Sequence, residues 1–484
     1  MASVVVSKDR QSVVETQREI PVAAEVDVLV AGGGSAGWHA AVAAARAGAK
    51  TLLVERYGSL GGTVTNAMVQ PFMNYHDPVG NAVVGGIWQE MVDRLEALGA
   101  SPGAIDASTG QAPWGKKPTL TPFDPEAVRY VAQELVLTAG AELLLHTMVV
   151  DTIVNDGRLE GIIVENKSGR QAILAKCFVD ATGDADVAAL AGAPFVKGRE
   201  RDGHCMPMSL YIKMADVDYG AIAAYLEANP DEFRWWAYPN VSPDAPEQFE
   251  KNPVSVSGFL SLVKQARDAG ELYLGRETIN ILPCPLKGEA VLNCTRVGDL
   301  DPTSARDLTS AEIEARRQAM SVITFVKRRL PGFENSKLVS IAPSIGVRES
   351  RRIIGEHILT LDEVIEGPDF DDAIARSAYN VDIHNPDDDK STWHTINDSY
   401  GIPYRALVPL KIDNLLVAGR CISTTHEAGA SARMTPNVAA TGEAAGIAAA
   451  MSAASGVVAR AIDTANLRTR LIDVGAILDR PAAR

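Results

Sequence analysis

Three glycines and an acid carry the first chemistry that the amino-acid sequence suggests. Gly32, Gly34 and Gly37 fall in the stretch Val26-Asp-Val-Leu-Val-Ala-Gly-Gly-Gly-Ser-Ala-Gly-Trp38, and Glu55 comes twenty-three positions after Gly32. Glycine at position 32 permits a tight turn, at 34 it lets backbone N–H groups approach a pyrophosphate, and at 37 it lets a helix pack close to a strand. An acid at about this spacing accepts hydrogen bonds from a ribose. The chemistry implied is the binding of a dinucleotide.

Those residues need a strand, a turn, a helix and a second strand to position them. Val26 to Val30 reads as a buried parallel strand, the Ala-rich run to Gly48 as a helix of small residues, and Thr51-Leu-Leu-Val-Glu55 as a second strand ending in the acid. Ser35 and Ala36 then stand in the first helical turn, where unpaired N–H groups and the positive dipole end face a phosphate. A lone GxGxxG recurs by chance. Strand, loop, helix, strand and acid in this order make a βαβ unit with the dinucleotide fingerprint.

Composition sets the outer bounds. The 484 residues are long enough for two or three domains, and 46% hydrophobic with 22% charged residues is an ordinary globular balance. A net charge of −15 argues against nucleic acid or an anionic membrane as partner, since both reward clustered Lys and Arg. The five cysteines, Cys177, Cys205, Cys284, Cys294 and Cys421, are scattered without a CxxC pair. Neither a disulfide framework nor a metal site is expected, and a reducing compartment fits. The first two dozen residues lack an apolar signal core, and the longest run of small apolar residues, Ala439 to Ala454, is interrupted by Glu443. The expectation is a cytoplasmic protein.

The residues after Glu55 separate flavin from nicotinamide. Glu55-Arg-Tyr-Gly-Ser-Leu-Gly-Gly-Thr63 continues with small residues and no immediate strand, which resembles flavoproteins of the glutathione-reductase type. The likeness narrows at Val179-Asp-Ala-Thr-Gly-Asp-Ala-Asp186, at Gly346-Val-Arg-Glu-Ser-Arg-Arg352, and at Asn414-Leu-Leu-Val-Ala-Gly-Arg-Cys-Ile-Ser423 with His426 and Arg433 beyond it. From about Val26 to Met451 the chain is similar to the FAD-dependent oxidoreductase family, distantly related to fumarate reductase flavoproteins and tryptophan halogenases. The resemblance implies an α/β fold: a glutathione-reductase-type FAD-binding Rossmann-like domain with an inserted α+β substrate or cap domain.

It also implies FAD as cofactor and a set of residues around it. Arg56, Gly61, Gly62 and Thr63 would run along the pyrophosphate and under the flavin, Val149 would lie over the adenine, and Ala181, Gly183 and Asp184 would return the chain to the cofactor. Gly419 and Arg420 occupy the last cofactor-facing loop, Gly419 to Gly429. The helix from Met434 to Met451, with Asn437 at its start, would point its N-terminus at the flavin pyrimidine edge, where a helix dipole favours negative charge.

Shifts of composition divide the chain into an N-terminal arm (1–24), a first FAD segment (25–198), a substrate or cap domain (199–340), a returning FAD segment (341–454) and a C-terminal helix (455–484). The cap is marked by Trp235-Trp236, many prolines, an alternating run from Met208 to Met214 and a long helix from Ser310. Asn155-Asp-Gly157 is a hairpin turn, and Asp124-Pro-Glu opens a helix that runs to Thr138. Ser101 to Pro122 reads as loop, and His76 sits in another loop, where a surface histidine is the simpler reading.

The flavin performs the redox step in such an enzyme, so the protein supplies a groove, an orienting charge and a proton acceptor. His426 and Arg433 flank the cofactor-facing loop, and Arg433 would neutralise the flavin edge or a substrate carboxylate. Arg348 belongs to a cluster with Arg351 and Arg352, for which ion pairing to Glu349 or Glu356 is the plainer role. His384 and Tyr404 match family segments and suit a general base and a substrate-orienting hydroxyl. Cys421 reads as a structural thiol.

These features lead to an FAD-dependent dehydrogenase or oxidase that takes a hydride from a small polar organic substrate onto the flavin. The alternatives are reduction of a carbon–carbon double bond in the manner of fumarate reductase and, less favoured, a monooxygenase or halogenase. The WxWxIP element of halogenases is missing, since Arg234-Trp-Trp-Ala-Tyr-Pro239 does not match it, and no second GxGxxG follows a strand to take NAD(P)H. The electron acceptor, dioxygen or a carrier, is left open, as is the oligomeric state, with a homo-oligomer allowed.

Overall fold

The Val- and Leu-rich run that precedes the glycines forms β1 (Val22–Ala31), the glycine turn leads into α1 (Ser35–Arg46), and β2 (Thr51–Val54) lies parallel to β1 with Ala31 opposite Val54. In this computed structural model the described residues are 17–107, 119–238, 255–388 and 390–480, with short strands at Val4–Val6, Val13–Glu15 and Thr109–Gln111. The N-terminal arm and the loop expected at 101–122 therefore lie partly outside the described residues.

The sheet continues through α2 (Pro125–Thr138), which Asp124 caps by accepting from Glu126 N at 2.8 Å, to β3 (Glu142–Leu144) beside β2. β4 (Met148–Asn155), β5 (Arg158–Asn166) and the long β6 (Gly169–Asp180) form an antiparallel meander. Asp156 and Gly157, at φ 45° and 77°, make the turn between β4 and β5, and positive φ at both positions is what a type I′ hairpin requires. The end of β6 runs parallel to β1 on one side and to β7 (Leu415–Val417) on the other. The parallel order is thus β7–β6–β1–β2–β3, an α/β fold with a Rossmann-like sheet of the glutathione-reductase type.

Close helix packing depends on glycine. A Cβ on Gly37 would stand 1.7 Å from the Gly32 carbonyl oxygen, so no other residue fits there. The last helix of the sheet layer, α3 (Thr435–Ser455), crosses α1 with Gly442 and Gly446 against Ala36 and Ala40, where added Cβ atoms would lie 2.1 and 2.2 Å from the two alanine carbonyl oxygens. Two four-residue small-residue spacings therefore interlock, and the helix ends where Gly456 turns left-handed at φ 73°.

The second sheet is antiparallel throughout, in the order Lys337–Ile341, Ile212–Ala215, Ala290–Leu292, Ile279–Pro283, Ser255–Gly258, Phe233–Tyr238 and Thr109–Gln111. The helix Ala305–Arg329 buries Val322, Ile323 and Val326 in a core shared with Ile212, Ile281 and Leu292. The edge strand Thr109–Gln111 comes from the stretch read as loop, because pairing with Trp236 to Tyr238 overrides its weak strand character.

Two further expectations are revised. The loop from Gly419 to Gly429 contains the start of a helix, His426–Ala432, capped by Thr425. The C-terminal helix begins only at Thr464, where Asp463 accepts from the N–H groups of Ala465 and Asn466. Among the described residues no helix is long and apolar enough to cross a membrane.

Candidate active site

A cavity of about 580 Å³, within the range of ligand pockets, opens at the C-terminal ends of β1 and β6 and extends under the second sheet. Gly32, Gly34, Ser35 and Ala36 line its inner end together with Glu55, Arg56, Gly62, Thr63, Ala181, Gly183, Asp184, Gly419 and Arg420. The structure brings these residues, read from the sequence as a dinucleotide cradle, to one wall of a single cavity.

The cradle's glycines divide by what excludes a side chain. Gly32 is left-handed at φ 97°, and a Cβ there would stand 2.4 Å from the Ala181 carbonyl oxygen. Gly34 has an ordinary φ of −66°, and a Cβ would meet nothing nearer than the Gly62 Cα at 3.8 Å. The fold does not need glycine at 34, and its backbone borders open space in the cavity. The N-termini of α1 and α3 both border the cavity without a side-chain cap and without an acid in the first turn. Uncapped N–H groups on two long helices suit a pyrophosphate and an electron-rich ring edge. The residues present therefore fit FAD.

Charge in the cradle is matched internally. Glu55 accepts from the N–H groups of Gly33 and Tyr57, which ties the glycine loop to the end of β2, and burial raises its pKa. Arg420 donates to Asp184 and to the Ser350 hydroxyl, both at 2.8 Å, and Ser350 donates to Asp184 at 2.7 Å. Burial works to raise the Asp184 pKa, but Arg420, Ser350 and Arg56 outweigh it and hold the carboxyl below its usual range.

The other end of the cavity is built from distant parts of the chain: Tyr211, Arg276, Arg348, Tyr379, Asp382, His384, Ser391, Trp393 and Arg433. A short hairpin of Val381–His384 with Ser391–His394 carries His384. Its Nε2 lies 3.3 Å from Asp382 Oδ2, and its Nδ1 lies 3.3 Å from the Ser391 hydroxyl. Burial, with Arg348 and Arg276 nearby, pushes His384 down to about 3 against the pull of Asp382. The imidazole is therefore neutral near pH 7. Asp382 is itself held below the usual carboxylate range: burial opposes this, and His384, Arg433 and Arg348 outweigh it. A carboxylate only accepts, so Nε2 carries the hydrogen and the lone pair sits on Nδ1, toward Ser391.

Arg348 donates to the Pro207 carbonyl at 2.6 Å and the Ser209 hydroxyl at 2.8 Å. Burial and the like charges of Arg276 and Arg433 push it down to about 9. Arg433, at the end of the helix His426–Ala432, donates from Nη2 to the Asp382 carbonyl at 3.3 Å. Its Nε is buried without a hydrogen-bond partner among the described residues, as are Asp382 Oδ1 and both side-chain polar atoms of Gln70.

Several expected site residues lie elsewhere. His426 does not line the cavity: its Nδ1 is 2.9 Å from Glu349, which also binds Arg352 and accepts from Met206 N. It is a buried hydrogen-bonding brace, a correction to its expected place at the substrate. Tyr404 is likewise a brace, since its hydroxyl donates to the Ala459 carbonyl at 2.7 Å, away from the cavity. Gly37 serves α1 packing, and Gly61 N donates to the Gly33 carbonyl at 2.9 Å beside the cradle. Val149 sits on β4 opposite Val164, and Asn437 donates to Ser377 and to the Ser431 carbonyl; neither lines the cavity. Cys421 is fully buried, with its thiol pKa raised by burial, in keeping with a structural thiol.

Tyr211, Arg276, Tyr379 and Gln70 escaped the sequence reading. No local motif surrounds them, and only Tyr211, within the alternating run from Met208 to Met214, carried a signal of any kind.

A family model described as FAD dependent oxidoreductase matches residues 27–471. Among curated proteins, thiamine thiazole synthase of Methanococcus aeolicus is 32% identical over 176 residues, covering 34% of this chain and 57% of that protein. The synthase of Sulfolobus acidocaldarius is 31% identical over 179 residues, 34% of this chain and 59% of that protein. The chain thus spans less than two thirds of the length of these relatives. Among solved structures, p-nitrophenol 4-monooxygenase from Pseudomonas putida DLL-E4 aligns at TM-score 0.48 and 11% identity over 94% of this chain and 87% of that chain. A geranylgeranyl bacteriochlorophyll reductase-like protein from Thermoplasma acidophilum aligns at 0.42 and 14%, over 93% and 81%.

Proposed function

The chain belongs to the FAD-dependent oxidoreductase family, and from that premise we propose that it is a dehydrogenase or oxidase taking a hydride from a small polar organic substrate. The observation that carries the reading is the hydrogen-bonded row Asp382–His384–Ser391 in the wall of the same cavity into which the dinucleotide cradle opens. FAD, when bound, supplies the acceptor for the hydride. The backbone of Gly32, Gly34, Ser35 and Ala36 would hold its pyrophosphate, and Glu55, Arg56, Gly62, Thr63, Gly419 and Arg420 the flanking parts.

The protein's own share is proton management and orientation. Removing hydride from an alcohol or amine carbon requires a group that takes the O–H or N–H proton. His384 is neutral, with its lone pair on Nδ1, and Asp382 fixes that tautomer and stabilises the imidazolium that results. Ser391 either passes the proton or yields its place to the substrate. Arg348 and Arg433 orient the substrate. Double-bond reduction would need a proton donor at this position instead.

His384→Gln keeps a donor for Asp382 and an acceptor for Ser391 but has no basic lone pair. The expected result is full flavin content with substrate-driven flavin reduction slowed by about a hundredfold, read anaerobically in a stopped-flow instrument. An unchanged rate would remove His384 from the reaction.

A further inference from the structure

We propose that the end of the cavity under the second sheet is a carboxylate-binding site in which Arg348 and Arg433 grip an anionic substrate beside His384. The inference rests on the reaction proposed above and names the class of substrate that the same site takes.

Charge is distributed unevenly between the chain and this site. The chain carries −15 overall, yet Arg276, Arg348 and Arg433 line this end of the cavity against one lining acid, Asp382. The other acids in the lining, Glu55 and Asp184, belong to the cradle and are bound there. Asp382 is engaged by His384. Arg348 rests on two neutral acceptors, the Pro207 carbonyl and the Ser209 hydroxyl. Arg433 reaches a carbonyl with Nη2 and leaves Nε buried without a partner among the described residues.

Arg276 is buried and Arg348 and Arg433 are partly buried in the same lining; like charges gathered there raise the energy of the site, and an entering anion discharges them. A guanidinium fork matches a carboxylate with two parallel N–H···O bonds, whereas a neutral polyol would leave the like charges opposed. The aromatic side chains of Tyr211, Tyr379 and Trp393 wall the same space, so the anion fits best when attached to a small organic body. Carboxylate capture at the arginines would leave the adjacent carbon facing His384, which makes a 2-hydroxy or 2-amino acid the substrate class.

The test uses flavin-loaded protein and needs no turnover. Benzoate and succinate, with their neutral analogues benzamide and succinamide, are titrated while the flavin difference spectrum and tryptophan fluorescence are recorded. The proposal expects saturable binding of at least one carboxylate, no binding of its amide, and an affinity about tenfold to a hundredfold weaker in Arg433→Gln and in Arg348→Gln at unchanged flavin content. Arg433→Lys should recover part of the loss. Equal binding of acid and amide by the wild type, or no binding of either acid, overturns the proposal irrespective of how the variants fold. Carboxylate binding in a protein that no organic donor reduces would overturn the reaction reading and leave the anion site standing. Rapid reduction by a neutral alcohol, with no carboxylate binding, would do the opposite.

Discussion

The two ends of the cavity handle charge in opposite ways. In the cradle, Asp184 is shared among Arg420, Ser350 and Arg56, and Glu55 is tied to the glycine loop, so the site is electrostatically complete before any ligand enters. Away from the cradle the lining carries Arg234, Arg276, Arg348, Lys390 and Arg433 against one acid, Asp382, and polar atoms of Arg433, Asp382 and Gln70 stay unsatisfied among the described residues. The cradle receives its ligand through preset backbone groups on a parallel sheet. The far end, under the proposal above, would be completed by its ligand. The contrast teaches where each kind of residue belongs: glycines and helix ends for the permanent guest, side-chain charge for the transient one.

The sharpest way to break this contrast lies within the cradle. Gly37→Val has no room at all, since a Cβ would stand 1.7 Å from the Gly32 carbonyl oxygen, and should leave no cooperative thermal unfolding by circular dichroism. Gly34→Val, with open space at its Cβ, should instead fold and melt normally but lose FAD by at least about a thousandfold, or about 4 kcal/mol, read from flavin absorbance per protein. A yellow, fully loaded Gly34→Val protein would remove the pyrophosphate from the cradle.

Glu443 separates unmatched charge in the scaffold from unmatched charge at the substrate. It is buried on α3, accepts from Ile87 N, and burial pushes its pKa up to about 7. The folded form then prefers the protonated acid. Destabilisation is absent below about pH 4.5, grows as pH rises through 7, and is constant above, reaching up to about 3 kcal/mol. Glu443→Gln should therefore melt higher than the wild type at pH 8, with the gap closing toward pH 5, and should leave flavin reduction unchanged. A gap independent of pH would contradict this account. The hundredfold effect expected of His384→Gln is of similar size but appears in the rate and leaves the melt alone.

The smallest effect belongs to the braces. Tyr404→Phe removes one buried hydrogen bond, to the Ala459 carbonyl, and should lower stability by about 1 kcal/mol with no change in flavin content or reduction rate. A large fall in rate would return Tyr404 to the reaction.

The legibility of the two ends in the sequence follows the same contrast. Gly32 to Gly37 with Glu55 could be read because one βαβ unit holds them all within a short span, and each glycine has a single steric reason. Arg348, His384 and Arg433 were reached through resemblance and lie together in the cavity. Arg276 and Tyr211 were missed because they border strands of the second sheet, and Tyr379 because it links two short strand pairs, so only tertiary packing brings the three to one cavity. His426 looked the part because it stands in the cofactor loop, but the direction of its side chain is set by Glu349, seventy-seven positions away. Fold and cradle were local problems; the far end is a tertiary one.

The central claim is that electrons enter from an organic molecule held beside His384. Its most direct test is an anaerobic absorbance screen of the flavin-loaded protein against hydroxy acids, amino acids, alcohols, amines, sugars and NAD(P)H. The account predicts bleaching of the flavin band near ~450 nm by a hydroxy or amino acid, without NAD(P)H. Bleaching by NAD(P)H alone would contradict it.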